Sequence, residues 1–83
     1  MTVRVHLFAR VRELMGADTC QVEIPTGANV AELRSALAIH IAGTAGLVVR
    51  SAVAVNGEYA ADDRVIDPTD EVALIPPVSG GAV

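Results

Sequence analysis

Residues 29–41, NVAELRSALAIHI, hold the clearest structural signal in the chain. Asn29 is a favourable helix N-cap, and the carboxylate of Glu32, three residues later, can accept a hydrogen bond from the backbone N–H of the cap. The large apolar side chains that follow recur at helical spacing along one stripe: Val30, Leu33, Leu37 and Ile41. The pattern predicts one amphipathic helix that ends near Ala42-Gly43 and covers an apolar surface.

Strands are predicted on both sides of this helix. Residues 2–8 and 19–24 alternate between apolar and polar side chains, which is typical of half-buried strands. After the helix, residues 48–55 are rich in β-branched side chains, and residues 71–76 form a last strand that ends at two prolines. The order strand, strand, helix, strand, strand predicts an α+β roll, a mixed sheet with one main helix packed on one face.

Short connections complete this arrangement. Residues 10–15 predict a brief helical turn that ends at Gly16, and residues 16–18 favour a hairpin between the first two strands. Asn56-Gly57 is typical of a tight turn. Residues 62–70 form a polar connection.

Composition excludes several classes of protein. A chain of 83 residues is one small domain and cannot enclose a deep cleft, which disfavours a self-contained enzyme. Apolar residues make up 52% of the chain, which indicates a globular core. No run of apolar residues is long enough for a membrane helix, and a cytoplasmic location is expected. A net charge of −4 disfavours nucleic-acid binding. All six basic residues are arginines, so the chain offers no side-chain amine.

Few side chains are suited to catalysis or to metal binding. Cys20 is the only cysteine, and its strand phase predicts a small buried hydrophobe. His6 and His40 are far apart in sequence, and we expect them at the surface or at its boundary. The aspartates of residues 62–70 are expected to be turn residues rather than metal ligands. No metal site and no bound cofactor are predicted.

The predicted outer face of the sheet is unusually apolar. Phe8 is out of phase with the core residues of the first strand, and Ile75 is exposed on the last one. Alanines 52 and 54 lie between them, and Tyr59 is the only other aromatic residue. A flat apolar patch of this kind predicts a surface that docks a protein partner.

The C-terminal residues 76–83, PPVSGGAV, carry no charged side chain. Pro77 and its neighbour hold the base of this segment extended, and Val78 can anchor it. Gly80 and Gly81 have no Cβ to block a narrow passage. The segment can therefore thread a tunnel in another protein.

Four stretches together resemble one family: LFARVRELMG at 7–16, VNG at 55–57, DEVA at 70–73 and PPVSGG at 76–81. They are similar to the small subunits of molybdopterin synthases, the MoaD branch of the ubiquitin-like sulfur carriers. The resemblance implies a β-grasp domain over residues 1–76 and a flexible diglycine tail over residues 77–83.

The resemblance also implies a function. An E1-like adenylyltransferase would use ATP to activate the carboxylate of Gly81, and a sulfur donor would convert this carboxylate to a thiocarboxylate. Gly80, which has no side chain, would let the preceding segment pass through a narrow opening. The large synthase subunit would then accept the tail and pass the sulfur to a cyclic pyranopterin, in molybdenum cofactor biosynthesis. Five residues would contact these partners: Phe8, Tyr59, Ile75, Pro77 and Val78.

The chain departs from this family at Ala82-Val83, which follow the diglycine. They imply either a precursor that a processing protease trims or a cloning remnant. Three other functions stay open: a sulfur carrier for thiamin or cysteine biosynthesis, a ubiquitin-like protein modifier, and an interaction domain with an inert tail.

Overall fold

The computed structural model describes residues 1–41 and 45–77. Its helices and strands follow one another in this order: β1 (Thr2–Leu7), α1 (Ala9–Met15), β2 (Thr19–Glu23), α2 (Val30–His40), α3 (Ala45–Arg50), β3 (Ala52–Val55), β4 (Glu58–Tyr59) and β5 (Val72–Ile75). The strands form one sheet in the order β2-β1-β5-β3-β4. β1 and β5 pair in parallel at its centre and the other pairs are antiparallel, so the predicted mixed sheet is confirmed.

The core lies between the inner face of the sheet and α2. On β1, the alternating side chains Val3, Val5 and Leu7 are at most 2% exposed, as the sequence pattern predicts. On α2, Leu33 and Leu37 are fully buried. Burial of each such side chain contributes about 1.5–3 kcal/mol to folding, so the apolar stripe on α2 is a main source of stability.

The predicted cap at the start of α2 is confirmed. The backbone N–H of Glu32 donates to Asn29 Oδ1 at 3.0 Å, and the N–H of Asn29 donates to Glu32 Oε1 at 3.1 Å. Both orphan donors are therefore satisfied at the helix start. At the other end, the N–H of Ile41 donates to the carbonyl of Leu37 at 2.9 Å. The predicted stop at Ala42-Gly43 lies outside the described residues.

The first two strands pair as expected, with a helix between them. β1 and β2 are antiparallel, from Thr2 opposite Glu23 to His6 opposite Thr19. The predicted helical turn is α1, and it ends at Gly16, whose φ of 74° is left-handed. Glycine adopts this conformation without the steric cost of a Cβ.

The predicted strand over residues 48–55 is wrong in its first half. Residues 45–50 form α3, and β3 begins only at Ala52. The Val48 side chain on α3 is fully buried. The Arg34 side chain on α2 donates a hydrogen bond to the Val48 carbonyl at 3.0 Å. Packing and a hydrogen bond from a distant residue therefore override the strand propensity of Val48-Val49.

A short strand that was not predicted, β4, pairs with β3 across the Asn56-Gly57 turn. Val55 lies opposite Glu58, so the turn has two residues. Their φ angles of 54° and 84° are both positive, as a type I′ turn requires. This hairpin places Tyr59 opposite Ala54.

Candidate functional site

The candidate site is the face of the sheet that α2 does not cover. Cross-strand pairs place three sets of side chains on it: Ala52 opposite Ile75, Ala54 opposite Ala73, and Ala54 opposite Tyr59. Between them runs an open groove of about 410 Å³, lined by His6, Phe8, Ala54, Gly57, Tyr59, Glu71, Ala73 and Ile75. We call it the face groove. Its small alanines leave room for side chains of another molecule.

The backbone at the end of β1 places Phe8 in this groove. Phe8 is extended, with φ −133° and ψ 157°, and precedes α1 as its N-cap. The next residue, Ala9, has a φ of 53°, a left-handed conformation that is costly for a residue with a Cβ. The chain therefore turns sharply after Phe8, and this residue stays 47% exposed.

The structure brings together the three residues predicted for this patch. Tyr59 is 77% exposed on β4, and Ile75 is half-buried on β5. Both line the face groove together with Phe8. The arrangement fits an apolar docking surface, and the role of these residues in partner binding stays a prediction.

A second groove, of about 430 Å³, begins where the first ends. We call it the exit groove, and it is lined by Arg50, Ala52, Tyr59, Ile75, Pro76 and Pro77. Tyr59 and Ile75 belong to both grooves, so the apolar surface is continuous. Pro77, another predicted contact, is exposed at the end of this surface. Val78, Gly80, Gly81 and the Ala82-Val83 pair lie outside the described residues.

Sequence reasoning missed four polar or small residues of this surface: His6, Arg50, Gly57 and Glu71. His6 is expected at the surface or at its boundary, with no functional role, and it lies half-buried in the face groove. His6 has the same strand phase as Phe8, two residues later, and this phase could have placed His6 on the outer face of the sheet. Arg50 could not be found in this way, because its place depends on α3.

A network of hydrogen bonds fixes the part of the face groove that Gly57 and Glu71 line. Asn56 Nδ2 donates to Asp70 Oδ1 at 2.8 Å, and the backbone N–H of Glu71 donates to Asn56 Oδ1 at 2.9 Å. The N–H of Asp67 donates to Asp70 Oδ2 at 2.8 Å. These hydrogen bonds, first that from Asp67 and then that from Asn56, lower the pKa of Asp70. The network anchors the tight turn to the start of β5.

The acidic connection between β4 and β5 is held by its own turns. The backbone N–H and the hydroxyl of Thr69 donate to Asp67 Oδ1 at 2.9 and 2.7 Å. Both bonds lower the pKa of Asp67. Asp67 and Asp70 are therefore turn residues, as predicted. Within residues 1–41 and 45–77, no three side chains of the kinds that bind metals come together.

The single cysteine is buried away from the grooves. Cys20 lies in the core face of β2 and is 6% exposed, as its strand phase predicts. Burial raises the pKa of its thiol, which disfavours the reactive thiolate. His40, at the end of α2, is exposed. Neither residue is placed to act on a group bound in the face groove.

Comparison with known proteins identifies the family. The ThiS family model matches residues 5–81. The chain belongs to the ThiS family. A molybdopterin synthase sulfur carrier subunit from Dictyostelium discoideum is 36% identical to this ThiS family chain over 84 residues, which covers 94% of each chain.

Two solved structures are similar to this ThiS family protein. One is a Pyrococcus furiosus protein provisionally assigned as subunit 1 of a molybdopterin converting factor. It has a TM-score of 0.81 and 30% sequence identity, and the match covers 94% of this chain and 99% of the other. The other is small archaeal modifier protein 1 from Haloferax volcanii, with a TM-score of 0.76 and 29% identity, covering 93% and 98%. The expected ubiquitin-like β-grasp fold is confirmed. None of the helices in the described ranges is long and apolar enough to cross a membrane.

Proposed function

We propose that this protein is the sulfur carrier subunit of a molybdopterin synthase. One observation carries the proposal: the family match runs through residue 81 and so includes the diglycine that follows the apolar surface. The curated relative from Dictyostelium discoideum carries the name of this subunit. A small domain with one docking face and an uncharged tail suits a carrier that works inside the active sites of other proteins.

The chemistry centres on the carboxylate of Gly81. A C-terminal carboxylate has a pKa of about 3.5, so at neutral pH it is an anion and a poor electrophile. An E1-like adenylyltransferase would join it to the α-phosphate of ATP and release pyrophosphate, which gives the acyl carbon a leaving group. A donor that supplies sulfur at the sulfide level would then attack the acyl carbon, displace AMP and leave a thiocarboxylate. Gly80 and Gly81, without Cβ atoms, allow close approach of both enzymes.

The large synthase subunit would dock on the face groove and receive the tail. Phe8, Tyr59 and Ile75 supply apolar contacts on the face groove, and Pro77 and Val78 contact the entrance of the tunnel. The sulfur then passes to a cyclic pyranopterin. The carrier itself binds no cofactor in this scheme, because ATP is bound by the activating enzyme.

A chain that carries Ala82-Val83 has an amide at Gly81 instead of a carboxylate. We therefore expect a protease to remove these two residues before activation. Intact mass measurement of the protein from its host tests this step, because it distinguishes a chain that ends at Gly81 from one that ends at Val83. Sulfur loading of a chain ending at Val83 would contradict it.

Reconstitution tests the function as a whole. A chain ending at Gly81 is incubated with the activating enzyme, ATP, a sulfur donor, the large subunit and the pyranopterin. Formation of molybdopterin, together with the mass change for exchange of one oxygen for one sulfur, is the expected result. A chain truncated after Pro77 is the matched control, since it keeps the described domain. Sulfur loading without molybdopterin would instead indicate thiamin or cysteine biosynthesis.

A second function, protein modification, is favoured by the likeness to small archaeal modifier protein 1. In that case Gly81 would be joined to lysines of other proteins. The chain has no lysine and could not build side-chain-linked chains of itself. Isopeptide adducts in host extract that disappear when residues 80–83 are deleted would support this function over the first.

A further inference from the structure

Among the described residues, Arg50 lines the exit groove and has no carboxylate partner; Arg4, on β1, has none either. Four other arginines of the described residues form ion pairs with acidic side chains: Arg10, Arg12, Arg34 and Arg64. Within residues 1–41 and 45–77, Arg50 makes one hydrogen bond, from its Nε to the Gly46 carbonyl at 3.4 Å. This long bond within α3 leaves the rest of the guanidinium available.

The length of the chain beyond Pro77 limits where a partner can sit. Gly81 is four residues after Pro77, so an extended chain carries it at most about 14 Å from that residue. A protein that receives Gly81 in its active site must therefore approach Pro77 closely. Pro77 and Arg50 line the same groove, so a protein that fills this groove to reach the tail covers the Arg50 guanidinium.

Covering a charged side chain has an energetic consequence. A guanidinium that loses water without gaining an opposite charge destabilises the complex, whereas a facing carboxylate satisfies its N–H donors in a planar, paired geometry. The surrounding groove is apolar, with Ala52, Ile75 and Tyr59 beside Arg50. An apolar surface with one cation at its edge favours a partner with the matching pattern, in which the charge sets the orientation.

We propose that Arg50 is a specificity-determining contact, and that the large synthase subunit presents a carboxylate to it beside the entrance that takes the tail. This inference rests on the proposed function and deepens it. The carboxylate would belong to an Asp or Glu next to the apolar residues that fill the exit groove. The pair would hold the carrier in the one orientation that directs the tail into the tunnel.

Three variants test this contact by the equilibrium dissociation constant for the large subunit. Arg50→Gln removes the charge, and we expect binding at least about tenfold weaker. Arg50→Lys keeps the charge and should recover part of the loss, since an ammonium cannot make the planar, paired contact. Ser35→Glu changes the net charge by the same amount as Arg50→Gln, at an exposed position of α2 on the other side of the sheet, and should bind like the wild type. Thermal unfolding of all three should match the wild type.

The outcomes distinguish failure of the Arg50 contact from failure of the proposed function. If the wild type does not bind the large subunit, the proposed function fails. If the wild type binds and Arg50→Gln binds equally well, only the contact fails. Equal losses in Arg50→Gln and Ser35→Glu would assign the effect to net charge, and equal losses in Arg50→Lys and Arg50→Gln would show that the charge at position 50 does not carry the contact; either result overturns the proposal.

Discussion

Arg34 joins α2 to α3, and its replacement should destabilise the whole domain. Its side chain is 18% exposed on α2 and donates to the carbonyls of Val48 and Ser51 at the end of α3. Hydrogen bonds that involve a charged group each contribute about 1.5–3 kcal/mol. Loss of both in Arg34→Met should therefore lower the free energy of unfolding by about 3 kcal/mol, with the apolar stem of the side chain kept.

The same guanidinium also reaches Asp62 at 3.4 Å, and a second variant separates the two contributions. The Asp62 side chain is 68% exposed, and an exposed ion pair contributes at most about 1 kcal/mol. Urea denaturation followed by circular dichroism measures both variants. We expect a small loss for Asp62→Asn and a large one for Arg34→Met. Equal losses would refute the assignment of the stability to the α3 carbonyls, as would a loss below about 1 kcal/mol for Arg34→Met.

Three further predictions concern the docking surface, the tail and the acidic turn. Phe8→Asp should weaken binding of the large subunit by about 2 kcal/mol or more, because a charge would replace an apolar anchor; unchanged affinity by calorimetry would remove Phe8 from the interface. Gly81→Leu should abolish sulfur transfer with an unchanged circular dichroism spectrum, and a loss of folding would contradict the placement of the tail outside the core. Asp70 has a lowered pKa in the folded state, so its ionised form stabilises the fold at neutral pH and that contribution disappears as the pH falls below about 4. The stability difference between wild type and Asp70→Asn should therefore shrink in acid; a difference that does not change with pH would contradict the argument.

Local signals explain which parts of the fold could be predicted from sequence. The start of α2 depends on Asn29 and Glu32, three residues apart, and the core face of β1 depends on simple alternation. Such patterns need no knowledge of distant contacts. The Asn56-Gly57 turn was equally clear, because both positions need a positive φ.

The segment after α2 could not be predicted in the same way. Val48 and Val49 favour strands by intrinsic propensity, and the contacts that make them helical come from Arg34, 14 and 15 residues earlier. Ser51 adds a hydrogen bond from its hydroxyl back to the Leu47 carbonyl at 2.7 Å. A tertiary arrangement decides this helix, and no pattern within the segment reveals it.

Strand phase alone predicted only part of the candidate site. Alternation placed Phe8 and Ile75 on the outer face, but neither the grooves nor their charged residues follow from alternation. Arg50 and Glu71 lie at opposite ends of the surface because β3 and β5 pair in antiparallel register, with Ala52 opposite Ile75 and Val55 opposite Val72. That register needs the strand order, which the sequence alone does not contain.

The parallel pairing of β1 and β5 links the docking surface to the tail. Parallel strands end at the same edge of a sheet, and Leu7 lies opposite Leu74, which places Phe8 beside Ile75. The chain then leaves the sheet through Pro76 and Pro77, which fix φ and cannot extend the ladder. A partner that recognises Phe8 therefore finds the base of the tail at a position that strand pairing determines. On the proposed function, Gly81 is four residues after Pro77, so docking on the face groove would bring its carboxylate to within about 14 Å of that residue. Such delivery would let a protein of this size serve active sites that it does not contain.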